Sequence, residues 1–292
     1  MRIIFACLLA TFSMGTLSAK EDSRFQIPAT DEGLPGAGPI RRYDWFQGLW
    51  ENKRSAWAKE VEARQGALVF LGDSITQGWG DDLKGAFGKT KVANRGISGD
   101  TTRGMLIRMK EDVLALKPSG VVLLLGTNDL EEGATPEVIA GNLKLIIAEL
   151  KAFDAEMPIV LCNVFPSSAS KKRPAEQIKA INSLYAAAVK GDRQVTVINT
   201  WAMFADENGD ARKSEFPDLL HPNDQGYTMW ANTLRPVLET LNLVEVPKED
   251  FVLEEGFESL FNGKDLTGWG YRDKKTMERT GSFDGKETSS EG

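Results

Sequence analysis

The chain has 292 residues, 41% of them hydrophobic, which is enough for one sizeable core with material to spare. Its net charge of −7 and pI near 5.1, with no basic stripe to offset the acids, argue against a nucleic-acid binder. A single histidine, His221, leaves one candidate for any imidazole chemistry near neutral pH.

The first nineteen residues have a character of their own. Met1-Arg2 precedes an apolar stretch, Ile3 to Ala10, and small residues follow up to Leu17-Ser18-Ala19. This is the pattern of a secretory signal cut after Ala19, and it implies an exported protein, periplasmic or secreted. An uncleaved anchor is the alternative. Thr11, Ser13 and Gly15 interrupt the short apolar run, so stable membrane insertion is not expected. Cys7 lies too early for a lipoprotein site. Cleavage would leave Cys162 as the lone cysteine, so no internal disulfide is expected. Residues 20–42 form a polar, Gly- and Pro-containing leader that reads as a loop or linker without a core of its own. From Tyr43 to Gln65, Trp45, Phe46, Leu49, Trp50, Trp57 and Val61 recur at mostly helical spacing. A surface helix packing its aromatics inward is favoured over a sugar-binding aromatic platform.

A regular alternation follows. Ala67–Leu71, Lys91–Asn94, Gly120–Leu125, Pro158–Val164 and Val195–Asn199 are apolar runs of strand length. Between and after them lie helical patterns around Thr101–Leu116, Pro136–Phe153, Pro174–Lys190 and Asn223–Leu241. Runs such as Val121-Val122-Leu123-Leu124-Leu125 are apolar on both faces, as strands of a covered parallel sheet must be. Strands alternating with helices predict an α/β three-layer sandwich around a five-stranded parallel, flavodoxin-like sheet. In such sheets ligands bind beyond the carboxyl ends of the strands.

Four groups of residues sit at those ends or in the loop before the closing helix. Ser74 in Gly72-Asp73-Ser74 follows the first strand and begins a helix, where developing negative charge is favoured; the alternative is a simple helix cap. Gly96-Ile97-Ser98-Gly99 follows the second strand. Its glycines allow close backbone approach, and one N–H can be aimed at an oxyanion; the alternative is a tight turn. Asn128 follows the third strand, and its amide can donate to an oxyanion or merely close an Asx turn. Asp218 and His221, three apart in a Pro-bracketed loop, can point the same way. A buried Asp would then fix the imidazole tautomer and leave the other ring nitrogen for Ser74; the alternative is a cap with a half-exposed histidine.

Taken together, in this order and at these positions, the four blocks resemble the SGNH (GDSL-type) hydrolases over about Val69 to Leu241, within a domain of residues 43–244. The resemblance implies Ser74 as nucleophile, His221 as general base and then acid, and Asp218 as its orienting partner. It also implies an oxyanion hole made by the Ser74 and Gly99 N–H groups and the Asn128 side chain. The stretch Asn94-Arg95-Gly96-Ile97-Ser98-Gly99-Asp100-Thr101-Thr102-Arg103 is most similar to the branch of the platelet-activating-factor acetylhydrolase catalytic subunits, which implies short acyl groups, acetyl above all. No cofactor is implied.

Residues 245–292 read as a charged linker and then the truncated start of a β-type domain. Leu260-Phe261-Asn262-Gly263-Lys264-Asp265-Leu266 and Gly268-Trp269 resemble the opening of the concanavalin-like domain linked to 3-keto-glycoside hydrolysis, which favours carbohydrate substrates. Asp206-Glu207-Asn208-Gly209-Asp210 lacks the sixth-position Gly and twelfth-position acid of a calcium loop and reads as a solvated turn. With one histidine, a zinc site is not expected, and Cys162 reads as core. The expectation is an exported serine esterase acting on small-molecule or carbohydrate esters. Only 17 residues separate Thr76 from Asn94, so no large lid is expected and the site should be open and shallow. A lysophospholipase or thioesterase, an acyltransferase, and a carbohydrate-binding module with a vestigial site stand as alternatives. Oligomeric state is not legible.

Overall fold

The five apolar runs form one sheet. In a computed structural model of the chain, which describes residues 23–245, the strands are β1 (Leu68–Gly72), β2 (Val92–Gly96), β3 (Gly120–Leu124), β4 (Ile159–Cys162) and β5 (Val195–Ile198). Every pairing is parallel and the order is β2-β1-β3-β4-β5. The signal-like residues 1–19 and the C-terminal resemblance, from Val246 onward, lie outside the described residues.

Nine α-helices are described: α1 (Asp44–Ala58), α2 (Ser74–Gly78), α3 (Thr102–Ile107), α4 (Met109–Asp112), α5 (Thr127–Glu131), α6 (Pro136–Phe153), α7 (Ala175–Ala188), α8 (Thr200–Phe204) and α9 (Asp224–Thr240). Alternate residues of each strand feed opposite layers, as the period of two requires. Val69, Leu71, Val121, Leu123, Ile159 and Leu161 face one core with α6 and α7. Leu68, Phe70, Val122, Leu124, Val160 and Cys162 face the other with α9, whose Trp230 stacks on Trp79 at 4.4 Å between ring centroids. Cys162 is a free, fully buried core residue, and burial pushes its thiol up to about 12. Among the described residues no helix is long and apolar enough to cross a membrane.

Two regions differ from the sequence expectation. Residues 101–116 form not one helix but α3, α4 and a 3-10 turn at Leu114–Leu116. The break falls at Arg108, whose backbone (φ −107°, ψ 3°) leaves the helical region. Its fully buried guanidinium donates to Asp100 (2.8 Å), to the carbonyl of Arg95 (2.9 Å) and to that of Gly72 (3.2 Å), so it ties two strand ends to the following loop. The described part of the leader, a 3-10 turn at Ser23–Phe25 followed by irregular chain, is held down on the domain rather than standing as a free linker. Asn142 of α6 exchanges hydrogen bonds with the Ala37 backbone (3.0 and 2.8 Å), and Thr101 Oγ1 donates to Pro39 (2.7 Å). Arg103 donates to Gly38 (2.9 Å) and to Asp31 (2.5 Å). This strap delivers Arg41, which is 8% exposed, to the carboxyl edge of the sheet.

Candidate active site

The register brings the ends of three strands level: Gly72 lies beside Gly96 on one side and Leu124 on the other. The segments leaving these strands therefore emerge at one edge, at the point where the sheet order turns from β2-β1 to β3. Asp73 is the N-cap of α2, its Oδ1 accepting from the Ile75 N–H at 2.9 Å, so Ser74 itself is freed from capping. Asp73 is fully buried; burial raises its carboxyl to about 6, against the pull of the Ile75 N–H.

Ser74 Oγ lies 2.9 Å from His221 Nε2, and His221 Nδ1 lies 2.8 Å from Asp218 Oδ2. With the ring proton on Nδ1, held toward the carboxylate, Nε2 is left to accept from the Ser74 hydroxyl. The other carboxyl oxygen, Oδ1, accepts from the backbone N–H groups of His221 (2.7 Å) and Leu220 (3.0 Å). Partial burial pushes the Asp218 carboxyl up. The backbone and ring N–H of His221 and the Leu220 N–H outweigh that and bring it down to about 2. Asp218 is not the buried acid expected from the sequence: 46% of its side chain is exposed. Its orientation comes from these hydrogen bonds. Between the pair, Leu219 is held in the left-handed region (φ +64°), with its carbonyl accepting from Ser167 Oγ at 2.8 Å.

The loop after β2 is pressed against α2. A Cβ at Gly96 would lie 2.3 Å from the backbone nitrogen of Gln77, so only glycine fits. The Ser98 N–H donates to Gln77 Oε1 at 2.8 Å. Gly99 has φ +87°, and a Cβ there would come within 2.7 Å of Trp45. Asn128, 3% exposed, lies in the first turn of α5, after β3. Its Nδ2 donates to the Asp100 carbonyl at 3.0 Å, and its Oδ1 accepts from Arg173 Nη2 at 2.9 Å. That pair of contacts sets which end of the amide is which. An amide carries two N–H donors, and the second is left for the cleft.

Ser74, Gly99, Asn128 and His221 line one cleft of about 430 Å³. Asp218 stands behind His221. Trp45 and Leu220 are the apolar side chains of its wall; the remainder is polar or charged, including Arg41, Glu131, Lys171, Lys172 and Arg173. Phe46, Trp50 and Trp57 of α1 pack inward as expected, whereas Trp45 stays 54% exposed at the cleft. None of Arg41, Glu131, Lys171, Lys172 or Arg173 was distinguishable in the sequence, because charges in loops and short helical turns, the run Lys171-Lys172-Arg173 included, carry no local pattern that separates a cleft wall from a solvated surface. Glu131 joins the two arginines: it pairs with Arg41 and, at 2.9 Å, with Arg173. Burial pushes its carboxyl up, but the Arg173 and Arg41 guanidinia bring it below the usual range. Among the described residues no group of three His, Cys, Asp or Glu side chains is placed to hold a metal ion.

Comparison with known proteins decides the family. The model of the GDSL-like lipase/acylhydrolase family matches residues 70–229, more than half of the chain. The chain belongs to this family. It is therefore an ester hydrolase, with the parallel five-stranded fold described above. Human platelet-activating factor acetylhydrolase IB subunit alpha2 is 26% identical over 204 residues, covering 68% of this chain and 87% of the relative. An acetylxylan esterase of Geobacillus stearothermophilus is 35% identical over 86 residues, covering 22% of this chain and 39% of the relative. The crystal structure of a GDSL-like lipase from Bacteroides thetaiotaomicron superimposes with a TM-score of 0.58 at 26% identity, over 64% of this chain and 97% of that one.

Proposed function

We propose that this acylhydrolase is an exported serine esterase that removes short acyl groups, acetyl above all, from carbohydrates. The observation that carries the reading is the unbroken contact from Ser74 Oγ through the His221 ring to Asp218, with the free Asn128 N–H at the same cleft. Ser74 Oγ attacks the ester carbonyl carbon while His221 Nε2 takes its proton. The oxyanion of the tetrahedral intermediate is met by the Ser74 and Gly99 N–H groups and by Asn128 Nδ2. Collapse breaks the carbon–oxygen bond to the alcohol, which leaves with the proton from His221. A water, deprotonated by His221, then hydrolyses the acyl-Ser74. Asp218 holds the ring and stabilises its protonated form.

The polar and charged side chains around Trp45 and Leu220 suit a hydroxyl-rich alcohol. Trp45 presents an exposed indole on which a sugar ring can stack. The segment shared with an acetylxylan esterase supports the same substrate class. The signal-like residues 1–19 support export, and mass spectrometry of the mature N-terminus should begin at Lys20.

The test is hydrolysis of p-nitrophenyl acetate, butyrate and octanoate by the full chain beside Ser74→Ala, His221→Ala and the double variant. Each single change should cost about 10⁴–10⁶ in turnover, and the double little more, because the residues act as a unit. Activity surviving both changes would refute the triad. Octanoate turned over as fast as acetate would refute the short-acyl preference.

A further inference from the structure

The cleft holds more positive charge than its own acids neutralise, in a protein whose net charge is −7. Four cationic side chains line it: Arg41, Lys171, Lys172 and Arg173. The two arginines are accounted for. Arg41 pairs with Glu132 at 2.7 Å and with Glu131, and Arg173 pairs with Glu131 at 2.9 Å. Lys171 and Lys172 differ: among the described residues no carboxylate pairs with either ammonium group.

The turn that carries the lysines is rigidly held. Ser168 caps it through the Ser170 N–H (3.3 Å), and its hydroxyl is fixed by Asp210 at 3.0 Å. The Arg173 side chain, 2% exposed, donates to the Lys171 carbonyl at 2.6 Å and to the Thr127 carbonyl at 3.0 Å, so the turn is pinned to the start of α5 beside Asn128. Lys172 occupies the left-handed region (φ +59°), a position where glycine or asparagine costs less than lysine. Trp45 lines the same cleft. Its ring stacks on Tyr43 with 13° between planes and reaches to within 2.7 Å of where a Gly99 Cβ would stand, next to the loop proposed to hold the oxyanion.

We propose that the alcohol of the natural ester is a sugar carrying an anionic group, a carboxylate or a phosphate, which Lys171 and Lys172 bind while the ring rests on Trp45. This rests on the esterase reading above and adds the charge of the substrate to it. Two unpaired ammonium groups on one wall of the cleft favour an anion there, and each pairs without displacing an internal carboxylate.

The experiment compares kcat/KM of the full chain on mono-acetylated methyl glucoside, methyl glucuronoside and methyl glucoside 6-phosphate. At low salt at least one anionic ester should exceed the neutral one by about tenfold, and 0.5 M NaCl should remove most of that preference. Whichever anionic ester is preferred identifies the source of the charge. In Lys171→Gln/Lys172→Gln the ratio should fall to near one, whereas Lys190→Gln, at an exposed lysine in the turn after α7, should keep the wild-type ratio. Ser74→Ala supplies a reading independent of turnover: in calorimetric titration it should bind methyl glucuronoside or the phosphate more tightly than methyl glucoside. Equal kcat/KM for all three esters, with p-nitrophenyl acetate still cleaved, overturns the charge proposal and leaves the esterase reading intact. Loss of all ester cleavage overturns the esterase reading, and the titration then decides the charge preference alone.

Discussion

Arg173→Gln tests whether a residue outside the proposed catalytic groups sets their geometry. The buried guanidinium donates to the carbonyls of Thr127 and Lys171, to Asn128 Oδ1 and to Glu131. By accepting from Arg173, Asn128 Oδ1 is fixed in place and Nδ2 is held as the donor end, and the adjacent positive charge polarises the amide into a better donor. An oxyanion-hole donor is worth roughly 2.7–4 kcal/mol, so Asn128→Ala should lower kcat by about 10²–10³. Arg173→Gln leaves the amide present but unanchored, and a loss of about half that energy lowers kcat by roughly 10–30-fold. KM should change much less, because the oxyanion exists only in the transition state. Arg173→Lys keeps the charge without the fork and should fall between wild type and Arg173→Gln. The deciding assay is the double variant: Asn128→Ala/Arg173→Gln should be no slower than Asn128→Ala, since both remove one interaction. Multiplying effects would refute the positioning role. Circular dichroism and urea unfolding separate this from stability, where loss of charged hydrogen bonds should cost about 2–4 kcal/mol.

Four further outcomes are expected. Asp218→Asn should lower kcat by about 10²–10³, less than the roughly 10⁴ seen for buried triad aspartates, because solvent reaches this half-exposed carboxyl. The Asp218 carboxyl sits at about 2 when folded against an ordinary value of 3.8, so its contribution to stability is complete above pH 3.8 and is lost as pH falls toward 2. Urea midpoints from pH 5 to 2 should therefore fall more steeply for wild type than for Asp218→Asn. Arg108→Met leaves Asp100 buried without its 2.8 Å partner and should cost about 3–5 kcal/mol; adding Asp100→Asn should recover a good part of it, and no recovery would mean the ion pair is not what Arg108 supplies. Gly99→Ala forces an L-residue to φ +87° against Trp45, so it should lose about 1–2 kcal/mol of stability and lower kcat with a change in tryptophan fluorescence; wild-type values for both would contradict the loop geometry.

The strands were legible because a parallel strand covered on both faces must be apolar at successive positions, and Val121 to Leu125 has few other readings. Helix α6 was legible to its ends: Pro136 sits in its first turn after the Thr135 cap, and its apolar residues recur at helical spacing. The region 101–116 was not, because a helical period cannot register that the Arg108 side chain must leave the helix axis to reach Asp100, Gly72 and Arg95.

The same division runs through the site. Ser74, Asp218, His221 and Asn128 could be named from sequence because each belongs to a short local device, a strand end with a turn or a bracketed loop, and because there was one histidine to choose. Arg41, Arg173 and Glu131 could not, since they come from a strap, the loop after a 3-10 turn and a short helix that share no local pattern. Composition and periodicity determine the sheet, its covering helices and the chemistry available at the strand ends, all set by short-range preference and burial. Only the tertiary structure decides the charge that surrounds that chemistry, because electrostatic pairing depends on distances in space between residues far apart along the chain.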